Sequence, residues 1–334
     1  MWVLIGPAPR DKSCTGRAHW TDMTTFPTVR PSRFQRFLQG WRGEMGQNQL
    51  AFLLNVPTAF VILLIIAYPI GYAVYLSLHE VTISGLRSGD VPFAGLRNYA
   101  TILSDQLFMT TLLRTVIFGI VAVVSMMAVG LFVAMAMNWK TTRLSMVTKA
   151  LVLLPWAIPP VGNGLMWSFI FNSNYGHFNA LLYSLGLVED FIPILSDDLL
   201  AVLVAYVWRV FPFAALLFHA ALQGIPAELY EAAKVDGASV WQRFWTITFP
   251  LLRPVMAVLL ILRTAFALTI FEEVFALTQG GPGTATWTAA WYSYNLTFSQ
   301  IKFDTGAASA FVLTLVIAAF AVIYFRFVYT TDVQ

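Results

Sequence analysis

Charge is scarce in this chain. Of its 334 residues, 11% are Asp, Glu, Lys or Arg, against about 25% in soluble domains. Cys14 is the single cysteine, which excludes a disulfide framework and a cysteine-based zinc site. The four histidines, His19, His79, His177 and His219, are scattered without metal-ligand spacing. No glycine-rich loop ends in Gly-Lys-Ser or Gly-Lys-Thr. The nearest candidate, residues 280–287, lacks the lysine that reaches phosphate, so the chain does not bind ATP by that route. No nucleophile–base arrangement is visible, and a net charge of +3 is too small to argue for nucleic acid. What the chain has in abundance is apolar surface. It is 58% hydrophobic with a mean hydropathy of +0.70, and lipid is the natural solvent for such a composition.

A span needs roughly 20 mainly apolar residues, and six segments qualify: about 52–78, 112–137, 150–171, 199–222, 255–277 and 307–329. The predicted fold is therefore an all-α membrane protein, a six-span helical bundle. Pro155, Pro159, Pro160 and Gly162 interrupt the third span. Prolines there free backbone carbonyls that neighbours or a cavity must satisfy, which predicts a kinked helix facing the bundle interior. Basic residues set the sidedness. Arg10, Lys12, Arg17, Arg30, Arg33, Arg36 and Arg42 crowd the first 50 residues. Lys140, Arg143 and Lys149 follow span two, and Lys234, Arg243 and Arg253 lie between spans four and five. The opposite side holds Arg87, Arg97 and Lys302, and its loop 172–198 has none. Both termini and the 223–254 loop are thus expected in the cytoplasm. Residues 1–50 read as a basic tail ahead of a six-span transmembrane body at 51–330. Residues 32–44 have the composition of a solvated tail or of a short surface helix, and Met23 and Met45 stand as alternative starts.

The stretch 223–254 is a polar interruption with more organisation than a reversal of direction requires. Pro226 suits a first helical turn, and Glu228 and Glu231 lie near the positive end of the helix dipole. Leu229, Ala232, Ala233 and Asp236 fall at helical spacing, with small residues central, so another surface can approach the backbone closely. Gly237 stands where that helix should stop, since glycine tolerates a left-handed cap. Ser239 and Gln242 have capping-box spacing for a second helix, whose Trp241, Phe244 and Trp245 form an aromatic side. Pro250 and Pro254 are expected to end it and begin span five.

The run Glu231-Ala232-Ala233, then Asp236-Gly237-Ala238, then Ile247-Thr248-Phe249-Pro250 resembles the signature loop of permease subunits of ABC importers, with Phe249 where leucine is usual. Phe93-Ala94-Gly95-Leu96-Arg97-Asn98-Tyr99, and Phe271-Glu272-Glu273-Val274 with Leu277 to Gly283, resemble segments of the carbohydrate-uptake branch; Glu272 stands where aspartate is usual. The resemblance covers about residues 50–330. It implies that 226–237 is a coupling helix, with Glu231, Ala232, Ala233, Asp236 and Gly237 on the docking surface and Pro250 closing the motif. It also implies separate ATP-binding subunits that hold ATP and magnesium, a second homologous permease, an extracytoplasmic sugar-binding protein and a bacterial inner-membrane location. The chain itself is then no enzyme and carries no cofactor or metal. An ion-coupled carrier and a non-transporting assembly protein are the rival readings.

Charges inside spans are expensive and often functional. Arg209 lies in span four, Arg263 in span five, and Glu272 and Glu273 near the outer end of span five. Structural pairing, substrate contact and an ion relay all compete for them. Sugars stack their C–H faces on aromatic rings and offer hydroxyls to polar groups. A sugar path therefore draws on Asn163, Trp167, Trp208, Arg209, Phe211 and Glu272, with Asn172 as a further polar group. Interfacial belts and ordinary packing compete for the aromatics. His219 reads as a packed helix-end residue.

Overall fold

The computed structural model describes residues 47–138, 144–195 and 199–331. The basic tail, the surface segment 32–44, and Lys140 and Arg143 lie outside these residues. Two units divide the chain between Tyr68 and Pro69. Helix α1 (Ala51–Ser77) is apolar along 27 residues and includes a π-helical turn at Leu63–Ala67.

From Pro69 onward the named elements are helices, with one isolated antiparallel bridge between His79 and Phe93 among the described residues. After α1 come α2 (Ile83–Ser88), α3 (Arg97–Ser104) and the long α4 (Gln106–Asn138). Then follow α5 (Leu144–Ala157), α6 (Pro160–Ile170), α7 (His177–Ser184) and α8 (Leu200–Gln223). The chain continues through α9 (Ala227–Val235), α10 (Val240–Leu268), α11 (Glu272–Leu277), α12 (Ala289–Tyr294) and α13 (Phe303–Thr331). Among the described residues, five helices are long and apolar enough to cross a membrane. The pair α5 and α6 makes a sixth candidate if counted as one span.

Helices α4 and α8 form the centre of the bundle and share its largest helix–helix contact. Small residues bring them together. A Cβ on Gly130 would stand 2.6 Å from the Ala214 methyl, and this is how helices in lipid reach close van der Waals contact. Phe118, Met126, Val202, Val210, Phe218, Leu252 and Leu259 fill the core around that seam. A second apolar cluster, with Ile102, Phe108, Tyr292 and Leu313, holds α3, α12 and α13 to the start of α4.

Two expectations about the spans need correction. The third is not a kinked helix: α5 and α6 meet at 98°. Pro159 and Pro160 have no N–H to continue the ladder of α5, and Pro160 instead opens α6 at its first position. The fifth span ends at Leu268 rather than near 277. Thr269 bonds its hydroxyl back to the Ala265 carbonyl at 3.0 Å, and Thr288 donates to the Ile270 carbonyl at 3.1 Å. The helical ladder is thereby closed off and α11 starts afresh. Glu272 and Glu273 occupy its first turn, where the dipole favours negative charge.

The loops at the end of the bundle away from α9 are tied by carboxylates. Asp105 caps α4, accepting the amides of Leu107 at 2.7 Å and Phe108 at 3.2 Å, and it takes the Tyr292 hydroxyl at 2.6 Å. Burial pushes the Asp105 carboxyl up, but the Tyr292 hydroxyl, those two amides and Lys302 outweigh it and hold it below its ordinary 3.8. A lowered folded-state pKa stabilises the fold above the ordinary value, and the gain is lost as pH falls through the lower folded value. Asp105→Asn is accordingly expected to cost about 1 kcal/mol near neutrality. It should also flatten the acid limb of stability, read as the unfolding midpoint between about pH 6 and pH 3. An unchanged acid limb would remove Asp105 from this role.

Candidate docking helix and buried polar junction

Helix α9 is built as the residues dictate. Pro226 sits at its N-cap rather than inside the first turn, with Glu228 in that turn and Lys234 in the last. At the other end Gly237 takes φ 79°. The Ala238 amide donates to the Ala233 carbonyl at 2.9 Å, and the Gly237 amide to Lys234 at 3.1 Å. That is a Schellman closure, which satisfies two carbonyls the helix end would otherwise leave open. Ser239 and Gln242 then form the expected capping box. The Gln242 amide donates to Ser239 Oγ at 3.3 Å, and the Ser239 amide to Gln242 Oε1 at 2.7 Å.

The second helix does not stop at its prolines. It passes through a π-helical turn, Phe244–Thr248, and continues as one apolar helix to Leu268. The wider turn carries the Phe249 amide to the Phe244 carbonyl and admits Pro250, which has no donor of its own, without a break. Tyr230 on α9 and Thr248 at the foot of α10 share a hydroxyl–hydroxyl bond of 2.9 Å. The short helix is thus fastened to the long one. Glu231, Ala232, Asp236 and Gly237 are exposed on α9, Ala233 is half-buried, and Val235 is 88% exposed. Pro250 is half-buried at the foot of α10, apart from that face.

The second site is a buried polar junction where α6, α8 and α11 meet. Gly164 permits it: a Cβ there would lie 2.6 Å from the Ala276 methyl and 3.3 Å from the Glu273 carbonyl oxygen. Arg209 of α8 donates to Glu273 Oε1 from Nη2 at 2.6 Å and from Nε at 2.8 Å. Glu273 is 1% exposed and Arg209 14%. Pro212, one turn on, cannot bond the Trp208 carbonyl. Asn163 is fully buried and donates to the Ala205 carbonyl at 3.1 Å. Its Oδ1, together with Trp167 Nε1 and Tyr206 OH, has no hydrogen-bond partner among the described residues. The rings of Trp167 and Trp208 meet edge to face at 5.7 Å.

Of the predicted path residues, Asn163, Trp167, Trp208 and Arg209 come together at this junction, and Phe211 packs against the adjoining core. Glu272 is exposed, and the carboxylate that enters is Glu273. The signal for choosing between them was the break after Leu268, which sets the phase of α11. Arg263 finds a ring rather than an acid, its guanidinium 4.2 Å from the centre of Phe213. Asn172 spends its Oδ1 on the amides of Asn174 and Tyr175. His219 is buried near the end of α8 and bonds to Gln223 at 3.1 Å. No cluster of metal-ligating side chains occurs among the described residues.

A broken span, a buried charge pair and an exposed short helix fastened to a long apolar one are the features of a polytopic membrane protein. Residues 126–332 match the family described as binding-protein-dependent transport system inner membrane component, and the chain belongs to that family. It is therefore a multi-pass membrane component of an ABC-type importer. The trehalose/maltose transport system permease protein MalF of Thermococcus litoralis is 36% identical over 282 residues, covering 84% of this chain and 94% of the relative. The sulfoquinovosyl glycerol permease SmoG of Agrobacterium fabrum is 36% identical over 298 residues, with 86% and 93% covered. In fold, the chain superposes on a chain of a bacterial ABC transporter that imports the polysaccharide alginate. The TM-score is 0.72 at 21% identity, covering 87% of this chain and 98% of that one.

Proposed function

We propose that this chain is the translocation subunit of an ATP-driven importer of a sugar or a closely related glycoside or polyol. Residues 51–330 form the permease domain and 1–50 a cytoplasmic tail, with both termini and α9 on the cytoplasmic side of a bacterial inner membrane. The observation that carries this reading is the exposed helix α9. Its free face of Glu231, Ala232, Asp236 and Gly237 is small and partly acidic, and its Schellman end and the Tyr230–Thr248 bond fix it to α10. ATP-binding subunits, which hold ATP and magnesium, would seat on this face. A second homologous permease would complete the pathway, and an extracytoplasmic binding protein would deliver substrate at the opposite end. The sugar assignment draws on the permeases for trehalose/maltose and sulfoquinovosyl glycerol among the relatives.

The mechanism is alternating access. Closure of the ATPase pair would move α9, and with it α10, toward the state open to the outside; hydrolysis would restore the inward state. A ligand favours whichever state it binds better, and only by that difference. The junction of Asn163, Trp167, Trp208 and Arg209 supplies rings for stacking and unpartnered donors and acceptors for hydroxyls. A buried polar group without a partner costs about 1–3 kcal/mol, so a hydroxylated substrate reaching these atoms would recover that cost. The sealed Arg209–Glu273 pair weighs against an ion relay, because each charge is already spent on the other.

Glu231→Arg together with Gly237→Val tests the docking assignment. The expected result is loss of co-purification with the ATP-binding subunits and at least a ten-fold fall in uptake, about 1.4 kcal/mol or more in coupling, with the permease still in the membrane. Uptake that persists and follows an ion gradient would instead identify a secondary carrier.

A further inference from the structure

At the membrane face that carries α9, the ends of the spans leave an apolar hollow. Met135 of α4, Tyr230 of α9, and Val240, Trp241, Arg243, Phe244 and Thr248 of α10 line a volume of about 320 Å³. An adjoining hollow of about 330 Å³ shares Met135, Tyr230, Arg243 and Thr248 and adds Asn138, Leu222 and Lys234. The depth of this site follows from its walls. Met135 lies in the last turn of α4, Leu222 in the last turn of α8, and Thr248 at the foot of the apolar part of α10. Spans end where hydrocarbon gives way to headgroups, so the hollow opens at that level. Trp241 is 68% exposed and Val240 74%. An uncovered indole beside a spanning helix belongs in the interface between lipid and water.

Charge completes the picture. Arg243 lines both hollows and Lys234 the second, and neither joins a salt bridge among the described residues. Arg243 Nε has only a 3.5 Å contact with the Ser239 carbonyl. An apolar cleft with two cations in its walls, neither in a salt bridge among the described residues, fits a molecule with an acyl tail and an anionic head. We propose that this hollow binds an anionic glycerophospholipid of the surrounding leaflet. Its phosphate lies between Lys234 and Arg243, and an acyl segment rests against Met135, Val240, Trp241 and Phe244. The lipid would sit between α9 and the foot of α10 and so stiffen their junction. This does not depend on what docks on the outer face of α9.

The test uses the purified transporter complex in nanodiscs of phosphatidylcholine, with or without phosphatidylglycerol brominated in its acyl chains. Bromine quenches nearby indoles, and the Trp241→Phe variant isolates the Trp241 contribution. Brominated phosphatidylglycerol is expected to quench Trp241 more than brominated phosphatidylcholine at equal content. Lys234→Gln and Arg243→Gln should each reduce that preference about five-fold, while the charge-preserving pair Lys234→Arg and Arg243→Lys retains it. Equal quenching by the two lipids would overturn the proposal, as would a preference indifferent to the glutamine variants. Displacement of the lipid by inorganic phosphate would reduce the site to an anion site and overturn it too. If the glutamine variants shed the ATP-binding subunits but keep the lipid preference, the cations serve protein docking and the lipid site is wrong.

Discussion

Glu273→Leu is expected to destabilise the permease by about 3–5 kcal/mol, among the largest effects of any single substitution in this chain. The carboxylate is 1% exposed and takes both Nε and Nη2 of Arg209. Its removal leaves a guanidinium over the Tyr206 ring, 5.8 Å from its centre, with no second acid in a salt bridge to it among the described residues. The cost is chiefly that of the stranded cation, not the worth of the pair. The double variant Arg209→Met with Glu273→Leu should therefore recover most of the loss, since replacing a buried pair by apolar residues of similar volume is often neutral or better. The unfolding midpoint of the purified complex in detergent reads this directly. If the double variant is as unstable as the single one, burial of an unpaired charge is not the cause. Uptake separates structure from transport: a double variant that folds yet does not transport assigns the pair a part in the pathway.

Gly164→Val is expected to abolish uptake and to uncouple α11 from α6. Even the first carbon of a side chain at this position would meet the Ala276 methyl at 2.6 Å and the α11 backbone at 3.3 and 3.4 Å. A backbone cannot swing aside as a flexible side chain can, so α11 must move away. Overpacking of this kind typically costs about 1–3 kcal/mol. The displacement also draws Glu273, three residues before Ala276 on the same short helix, away from Arg209. The two predictions are thus linked, and a double-mutant cycle between Gly164→Val and Glu273→Leu should show strong non-additivity. Additive losses would mean that α11 absorbs the valine without disturbing the ion pair.

The features written locally were legible in the sequence. Gly237 marks the end of α9 and takes the left-handed conformation, and the Ser239–Gln242 spacing yields a capping box, because both depend on residues within a single turn. The proline cluster at 155–160 announced an interruption, but not the 98° between α5 and α6. An angle is set by what the two helices pack against, and composition carries no record of it. The end of α10 at Leu268 was illegible for a similar reason. Apolar residues continue through Ile270 and Phe271, and the carbonyl released there is taken by Thr288, 18 residues on. Thr288 in turn accepts the Trp291 amide and caps α12. Missing that break left the phase of Glu272 and Glu273 undetermined, and the exposed member was placed in the path. Pro250 points in the opposite direction, since the π-helical turn before it carries the helix past the missing donor, and Pro254 lies within the same helix.

Helix α10 runs unbroken for 29 residues, about 44 Å at 1.5 Å per residue. Such a rod acts as a lever: a tilt of about 5° at one end displaces the other by about 4 Å, roughly three-quarters of a helical turn. No relay of side-chain rearrangements is needed to carry that displacement. The stop at Thr269–Phe271 is where the rod ends and α11 begins, so under the proposed mechanism the amplitude reaching the Arg209–Glu273 junction would be set by geometry. Lengthening or shortening α10 by whole turns would change the gearing of the machine while leaving its parts alike.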